Sequence, residues 1–193
     1  MGKAVVITGT PGVGKTTLGR LLAEALGAPM IELGKLVVEK GLYVGVDEER
    51  DTLVADLEAL TEEVLALLSS TPGWVVVVGH YAQDVVPRDL VVRAFVLRRN
   101  PYELREVLIS RGYSGRKLYE NLQAEILDVC LCEALEAYGP ELVYEVDVSG
   151  RRPEEVLEEM LEALSLGLSR AGLVDWLGML ERDGRLEEFF SEF

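Results

Sequence analysis

The chain has 193 residues, with 34 acidic and 19 basic side chains and a net charge of −15 at pH 7. This length predicts one ordinary α/β domain with room for small inserted caps, and the negative charge disfavours direct binding to a long nucleic-acid backbone. No apolar stretch approaches the ~20 residues of a membrane helix, and the apolar run after Lys3 is too short for a signal peptide, so we expect a cytoplasmic protein without membrane contact.

The first predicted elements are a strand and a helix joined by a glycine-rich loop. Residues 3–8 are apolar and β-branched, which is typical of a buried parallel strand, and residues 17–26 repeat leucines at helical spacing. The loop reads Gly-Thr-Pro-Gly-Val-Gly-Lys-Thr-Thr from Gly9 to Thr17 and matches the pattern G-x-x-x-x-G-K-[ST]. Strand, loop and helix therefore follow in the order that a phosphate-binding loop requires.

Each residue type in this loop has a task toward a nucleoside triphosphate. Glycines let successive backbone N–H groups face phosphate oxygens, Lys15 reaches the β and γ phosphates as a catalytic cation, and the Thr16 hydroxyl contacts Mg²⁺. The following helix adds the partial positive charge of its N-terminus. The residues expected to bind the phosphates are Gly12, Val13, Gly14, Lys15, Thr16 and Thr17.

The rest of the chain alternates predicted strands and helices. The strands are residues 29–33, 74–78, 91–97 and 142–148, and the helices are residues 34–40, 51–69, a segment opening at Asn100-Pro101, 118–138 and 153–164. This order predicts an α/β fold with a doubly wound, five-stranded parallel sheet, helices on both faces and a ligand site beyond the carboxyl ends of the strands. The apolar residues of the tail, residues 167–193, predict a docked helix.

His80, the one histidine of the chain, directly follows the all-valine strand, at the edge where the γ phosphate is expected. We consider it a candidate catalytic residue, and a packing or hydrogen-bonding role is the alternative. P-loop proteins that handle ATP usually end this strand in an acid that orients Mg²⁺. Val78-Gly79 stands there instead, and the nearest acid is Asp84. Asp84 is either a ligand of the metal shell or a surface acid that caps a turn.

Charge is unevenly distributed along the chain. From Arg88 to Lys117 there are eight basic and three acidic residues, so we expect further phosphate contacts in this stretch. Arg111 lies in a glycine-containing loop that can close over a transferring phosphoryl group, and a solvent-facing arginine cluster is the alternative. The stretch from Asp47 to Glu63 carries eight acids and one basic residue, which indicates either a surface for a basic protein partner or a solvated helix face.

Three segments together resemble the CINAP-type family of small adenylate kinases and ATPases, also called the adenylate kinase isoenzyme 6 group. They are residues 9–17, residues 79–87 leading into residues 93–98, and residues 111–126 with their Arg-Gly-Tyr-Ser and Ala-Glu-Ile motifs. The third segment is the family-specific one, because all P-loop proteins share the first. The likeness covers most of residues 3–164, and residues 172–176 resemble the ending of archaeal members.

The resemblance implies a P-loop nucleoside monophosphate kinase fold, conversion of ATP and AMP into two ADP, and a separate ATPase activity. It also implies a role in maturation of the small ribosomal subunit through a ribosomal protein, for which we expect uS11. The kinase domain is then residues 1–164, with a core (1–33, 72–110 and 119–164), a nucleoside monophosphate-binding cap (34–71) and a lid (111–118), followed by a docked tail (165–193). In this division AMP or a similar acceptor lies under the cap, and Arg111 of the lid both binds ATP and acts in catalysis.

Two other functions stay open at this point. One is a small-molecule kinase of the same fold with a non-nucleotide acceptor. The other is an ATPase assembly factor that uses hydrolysis to switch its binding to a ribosomal protein. Formation of ADP from ATP and AMP distinguishes the leading hypothesis from both.

Overall fold

The strands meet in one main sheet and one small hairpin in the computed structural model, which describes residues 2–48 and 52–190. The strands are β1 (Lys3–Thr8), β2 (Met30–Glu32), β3 (Tyr43–Asp47), β4 (Thr52–Ala55), β5 (Trp74–Val78), β6 (Val91–Arg98) and β7 (Val143–Asp147). Five of them form a parallel sheet in the order β2-β5-β1-β6-β7, and β3 pairs antiparallel with β4. The predicted five-stranded parallel sheet is therefore confirmed.

Helices cover both faces of this sheet. They are α1 (Lys15–Leu26), α2 (Leu33–Lys40), α3 (Leu57–Ser70), α4 (Ala82–Val85), α5 (Pro101–Ser110), α6 (Gly115–Ile126), α7 (Val129–Tyr138), α8 (Pro153–Leu166), α9 (Trp176–Arg182) and α10 (Glu187–Phe190). Side chains alternate along each strand, so Val5 and Ile7 pack with α1, α5, α6 and α8, whereas Val6 packs with α2, α3, α4 and α7. Within the described residues, no helix is both long and apolar enough to cross a membrane.

The tail after α8 packs against the first of these layers. Trp176, Leu180 and Phe189 are buried among its side chains. The tail also covers the free edge of β7, because Arg170 N donates to Val143 O at 3.0 Å and Arg170 O accepts from Glu145 N at 2.8 Å. An edge strand exposes unpaired backbone groups, and the tail supplies partners for them here.

The predicted helix over residues 51–69 is wrong at its start, and the hairpin was missed. Residues 52–55 form β4, and α3 begins at Leu57 after Asp56, whose Oδ1 accepts from Ala59 N at 3.1 Å as an N-cap. Leu53 is in helical phase with Leu57, so periodicity alone extended the helix backwards. Residue 51 lies outside the described residues.

The predicted helix over residues 118–138 is also wrong, because α6 and α7 are separate. Asp128 stands between them with φ of 58°, the one positive φ among the described non-glycine residues. Aspartate tolerates this left-handed region better than most residues do. Arg98 donates to the Asp128 carboxylate and, at 2.9 Å, to the carbonyl of Glu125, so a buried arginine holds the break in place. A contact across about 30 residues leaves no trace in helical periodicity.

Candidate active site

The loop between β1 and α1 depends on glycine, because Gly9, Gly12 and Gly14 all have positive φ. Gly9 has φ of 135° and Gly14 has φ of 108°, a region that side chains rarely adopt. A Cβ atom at Gly9 would also lie 2.5 Å from the carbonyl oxygen of Leu97 in β6. Gly14 directly precedes α1, so the loop presents the positive end of the helix dipole.

Lys15 folds back over this loop. Its Nζ donates to Gly9 O at 2.6 Å and to Thr10 O at 2.9 Å. Burial lowers the pKa of Lys15 to about 8. Both acceptors are neutral carbonyls, and an anionic phosphate oxygen is a stronger partner for an ammonium group. The predicted phosphate-binding lysine is thus a desolvated cation that an anion would stabilise.

Thr16 contacts an acid to which the sequence assigned no role. Its Oγ1 donates to Glu32 Oε1 at 2.9 Å, at the end of β2, and Lys35 Nζ lies 2.7 Å from Glu32 Oε2. Burial alone would raise the pKa of Glu32, but the hydrogen bonds from Lys35 and Thr16 outweigh it and lower that pKa. An ionised carboxylate beside a threonine hydroxyl is a set of hard oxygen donors of the kind that Mg²⁺ prefers.

Asp84, the predicted metal ligand, is an exposed residue of α4. It does not line the cleft that runs along the phosphate loop. Partial burial raises the pKa of Asp84, and burial together with the charge of Asp84 raises the pKa of Glu133 on α7. The structure therefore places Asp84 beside α7 and Glu32 beside Thr16.

A cleft of about 550 Å³ runs along the phosphate loop and brings most of the predicted site residues together. The predicted residues that line it are Gly12, Gly14, Lys15, Thr16, Thr17, His80 and Arg111. Val13 is instead buried in the core beneath the loop. Lys117, Glu133 and Thr52 of the β3–β4 hairpin also line the cleft.

His80 carries a neutral imidazole in this cleft. Its ring meets the Tyr81 ring edge-on at 4.3 Å, and its carbonyl accepts from Gln83 Nε2 at 3.0 Å. The ring keeps access to the solvent of the cleft, yet enough protein surrounds it that desolvation, followed by the charge of Lys15, lowers its pKa to about 4. At pH 7 this imidazole can accept a hydrogen bond from water or hold a water molecule in place.

The predicted run of basic residues does not form one phosphate-binding patch. Arg111 ends α5 and lines the cleft, as does Lys117, whose Nζ lies 5.0 Å from the centre of the Tyr113 ring. Arg116 instead pairs with Glu120 at 2.8 Å on the surface. A count of basic residues along the sequence cannot separate those that line the cleft from those that pair with carboxylates.

Arg98, another member of that run, is the centre of a buried ionic network beneath the loop. It is 1% exposed, and its Nε donates to Glu125 Oε1 at 3.0 Å and its Nη1 to Glu145 Oε1 at 2.5 Å. Burial alone would lower the pKa of Arg98, but the carboxylates of Glu125, Asp128 and Glu145 outweigh it and raise that pKa. Thr10 of the loop donates to Glu125 Oε2 at 2.7 Å, so the network also positions the loop.

The sequence of this chain is similar to those of known proteins. Residues 5–128 match the family model described as "AAA domain". The chain is similar to the protein named "Putative adenylate kinase" of Methanocaldococcus jannaschii, with 39% identity over 89% of this chain and 92% of that protein. It is also similar to the proteins of the same name from Pyrococcus furiosus, at 40% identity over 92% and 93%, and Thermococcus kodakarensis, at 43% identity over 89% and 92%.

Solved structures share the fold at lower sequence identity. A shikimate kinase from Bacteroides thetaiotaomicron superposes with a TM-score of 0.58 and 18% identity, over 84% of this chain and 98% of that one. A gluconokinase from Sinorhizobium meliloti 1021 gives a TM-score of 0.55 and 21% identity, over 85% and 92%. At these identities the likeness shows the fold alone.

Proposed function

Since this chain belongs to the AAA-domain family and is similar to the proteins named "Putative adenylate kinase" above, we propose that it is an ATP-dependent nucleoside monophosphate kinase that converts ATP and AMP into two ADP. The main supporting observation is that one cleft is lined by Lys15, by Arg111 and by Thr52 of the hairpin. Such a cleft offers cations for a transferring phosphoryl group and space for an acceptor. The proposal therefore places donor and acceptor in one cavity.

In this proposal the protein positions the phosphates and neutralises charge, and no protein nucleophile is required. Residues 12–17 bind the ATP phosphates, Lys15 exchanges its carbonyl partners for phosphate oxygens, and Arg111 contacts the transferring group. Thr16 and Glu32 would hold Mg²⁺, which neutralises charge on the phosphate oxygens when it is bound. We assign this task to Glu32 rather than Asp84, because Glu32 already contacts Thr16.

The division into core, cap, lid and tail follows the same proposal. Within the cap, residues 34–71, α3 packs firmly under the sheet through Leu60, Val64 and Leu68, which are all fully buried. We therefore expect the β3–β4 hairpin to be the part of the cap that moves. Arg111 is the first residue of the lid, residues 111–118. Closure of both would exclude water from the transferring group.

The test is ADP formation from ATP with AMP, GMP, CMP or UMP as acceptor, and with shikimate and gluconate as non-nucleotide acceptors. We expect ADP to form rapidly only with a nucleoside monophosphate, with AMP preferred. ADP formation that no nucleoside monophosphate accelerates would overturn the proposal, and acceleration by shikimate or gluconate would favour a small-molecule kinase.

A second candidate function, ATPase activity linked to binding of the ribosomal protein uS11, draws support from the hairpin. Val44 and Val46 are 70% and 58% exposed, next to the acids Asp47 and Glu48. An apolar ridge beside carboxylates suits a basic partner with an apolar patch. Both candidate functions use cytoplasmic ATP, so we propose a cytoplasmic location.

Binding to uS11 across a salt series tests this second function. Binding should weaken steeply with salt, because exposed charges are screened beyond about 8 Å at physiological ionic strength. The charge-reversal variant is Glu48→Lys with Glu58→Lys and Glu62→Lys, which are exposed, and it spares Asp56 because that residue caps α3. The predicted acids at positions 49 and 51 lie outside the described residues. If neither salt nor charge reversal changes binding to uS11, the acidic stretch from Asp47 to Glu63 is a solvated helix face and not a surface for a partner.

A further inference from the structure

The C-terminal tail reaches the ionic network beneath the phosphate loop. Trp176, which is 8% exposed, donates from Nε1 to Glu125 Oε1 at 3.1 Å. Three residues earlier, Leu173 N donates to Glu145 Oε2 at 2.5 Å. Glu125 and Glu145 are the two fully buried carboxylates that bind Arg98. The tail therefore supplies hydrogen-bond donors to both of them.

The other carboxylate oxygen of Glu125 is hydrogen-bonded to the phosphate loop. Glu125 Oε2 accepts from Thr10 Oγ1 at 2.7 Å, and Thr10 is 1% exposed. The carbonyl of Thr10 accepts from Lys15 Nζ at 2.9 Å. A continuous chain of hydrogen bonds thus runs from Trp176 in the tail through Glu125 and Thr10 to the lysine that meets the phosphates.

Bound phosphate must disturb the loop end of this chain. Lys15 gives up or shares its bond to Thr10 O when it turns to a phosphate oxygen, and the loop has to hold its shape without it. The bond from Thr10 to Glu125 is then a main side-chain restraint on this part of the loop. Hydrogen bonds between buried charged groups are strong and short. A shift of Thr10 at one end of this network therefore changes the hydrogen bonds at the other end.

We infer that Glu125 is a positioning residue that couples docking of the tail to nucleotide binding at the phosphate loop. Nucleotide binding strengthens docking of the tail, and a docked tail raises the affinity for nucleotide by the same factor, as linkage requires. Anything that lifts the tail would therefore lower nucleotide affinity. The inference rests on the proposed function only in taking the ligand to be ATP.

Fluorescence of Trp176 reports on this coupling directly. The chain has two tryptophans, and Trp74 lies at the start of β5, at the end of the strand opposite the phosphate loop. In a Trp74→Phe background we expect ATP to shift the emission of Trp176. Thr10→Val removes the hydroxyl and should abolish the shift and weaken ATP binding about fivefold, the effect of losing one ordinary hydrogen bond. Thr10→Ser keeps the hydroxyl and should restore both.

Variants of the tail test the opposite direction. Trp176→Phe should also weaken ATP binding about fivefold, since it removes the donor to Glu125. Tyr102→Phe is the matched control, because Tyr102 Oη donates to Asp183 of the tail at 2.8 Å in an exposed bond. This exposed bond lies outside the network and contributes little to docking, so the tail should stay docked and the ATP affinity should stay unchanged.

Calorimetric titration with ATP separates the outcomes. Binding of ATP with unchanged Trp176 emission would overturn the coupling and leave the proposed function standing. Thermal unfolding curves show whether the Thr10→Val and Thr10→Ser variants are folded. Equal ATP affinity in the two folded variants would likewise overturn the coupling and leave the proposed function standing. An emission shift that follows ATP occupancy, is lost with Thr10→Val and is retained with Tyr102→Phe would establish it. Absence of ATP binding would overturn both this inference and the proposed function.

Discussion

Two regions that line the cleft are built in opposite ways. The phosphate loop rests on fully buried ionic groups, with Arg98 and Glu125 each 1% exposed. The β3–β4 hairpin turns Val44 and Val46 to solvent, at 70% and 58% exposure. We refer to the loop and its buried support as the fixed side, and to the hairpin and the lid, residues 111–118, as the moving side.

The energetics of the two sides explain this difference. Removing one partner from a buried ion pair typically costs ~3–5 kcal/mol, so we expect the ion pairs of Arg98 to persist during turnover. A two-stranded hairpin is marginal alone, and here it carries few buried side chains. Movement during turnover is therefore expected to be larger at the hairpin and the lid than at the phosphate loop.

The largest effect should follow from Lys15→Ala, on the fixed side. The change deletes the buried cation expected on the β and γ phosphates, and such losses cost ~3 to 4 kcal/mol, so turnover should fall several hundredfold. Lys40→Ala, which removes an exposed lysine paired with Glu63, is the matched control and should keep activity. Unchanged turnover in a folded Lys15→Ala protein would contradict the proposed function at its root.

Arg111→Ala should have the next largest effect, and it tests the moving side. Lid charge counts most when the transferring group spreads its charge, so kcat should fall on the order of tenfold to a hundredfold while the KM for ATP changes little. Arg116→Ala, which removes an arginine paired with Glu120, serves as control within the same lid. A raised KM with an unchanged kcat would make Arg111 a binding residue and leave transition-state stabilisation to the fixed side.

The strands and the glycine loop of the fixed side were predictable from sequence because their signals are local. The strands Lys3–Thr8 and Trp74–Val78 have the predicted bounds, since each is a continuous apolar run between clear breaks. The glycine pattern placed Lys15 and Thr16 because the loop conformation itself requires glycine. Motif and structure agree where a few neighbouring residues determine both.

What the sequence missed depends on contacts between distant residues. Glu32 reaches Thr16 because β2 lies beside β5 in the sheet, and Glu125 meets Trp176 over 51 positions of sequence. The break at Asp128 requires Arg98, which sequence counting had assigned to phosphate binding. Buried carboxylates of this kind look like ordinary helix acids until the fold pairs them.

His80 also lines the cleft, and His80→Ala should have a smaller and selective effect. A neutral imidazole suits orienting water, whereas the phosphate of AMP is a ready nucleophile that needs little proton removal. We expect ATP hydrolysis without acceptor to fall about tenfold and ADP formation from AMP to change less than about twofold. Parallel assays of both reactions on one preparation measure this, and equal losses would indicate a structural histidine.

The smallest effect is a proton taken up when ATP binds. The pKa of Lys15 is about 8 in the folded chain, against 10.5 without burial, so between these values the unfolded state binds more protons and stability rises with pH. A bound phosphate raises this pKa again, and at pH 8 a group with pKa 8 is half protonated, so ATP binding should take up about half a proton there and much less at pH 7. Calorimetry in buffers of different ionisation enthalpy measures the uptake, and Lys15→Ala should lose it. Uptake that is the same at pH 7 and pH 8, or that survives in Lys15→Ala, would show that the buried cation is not the group that meets the phosphates.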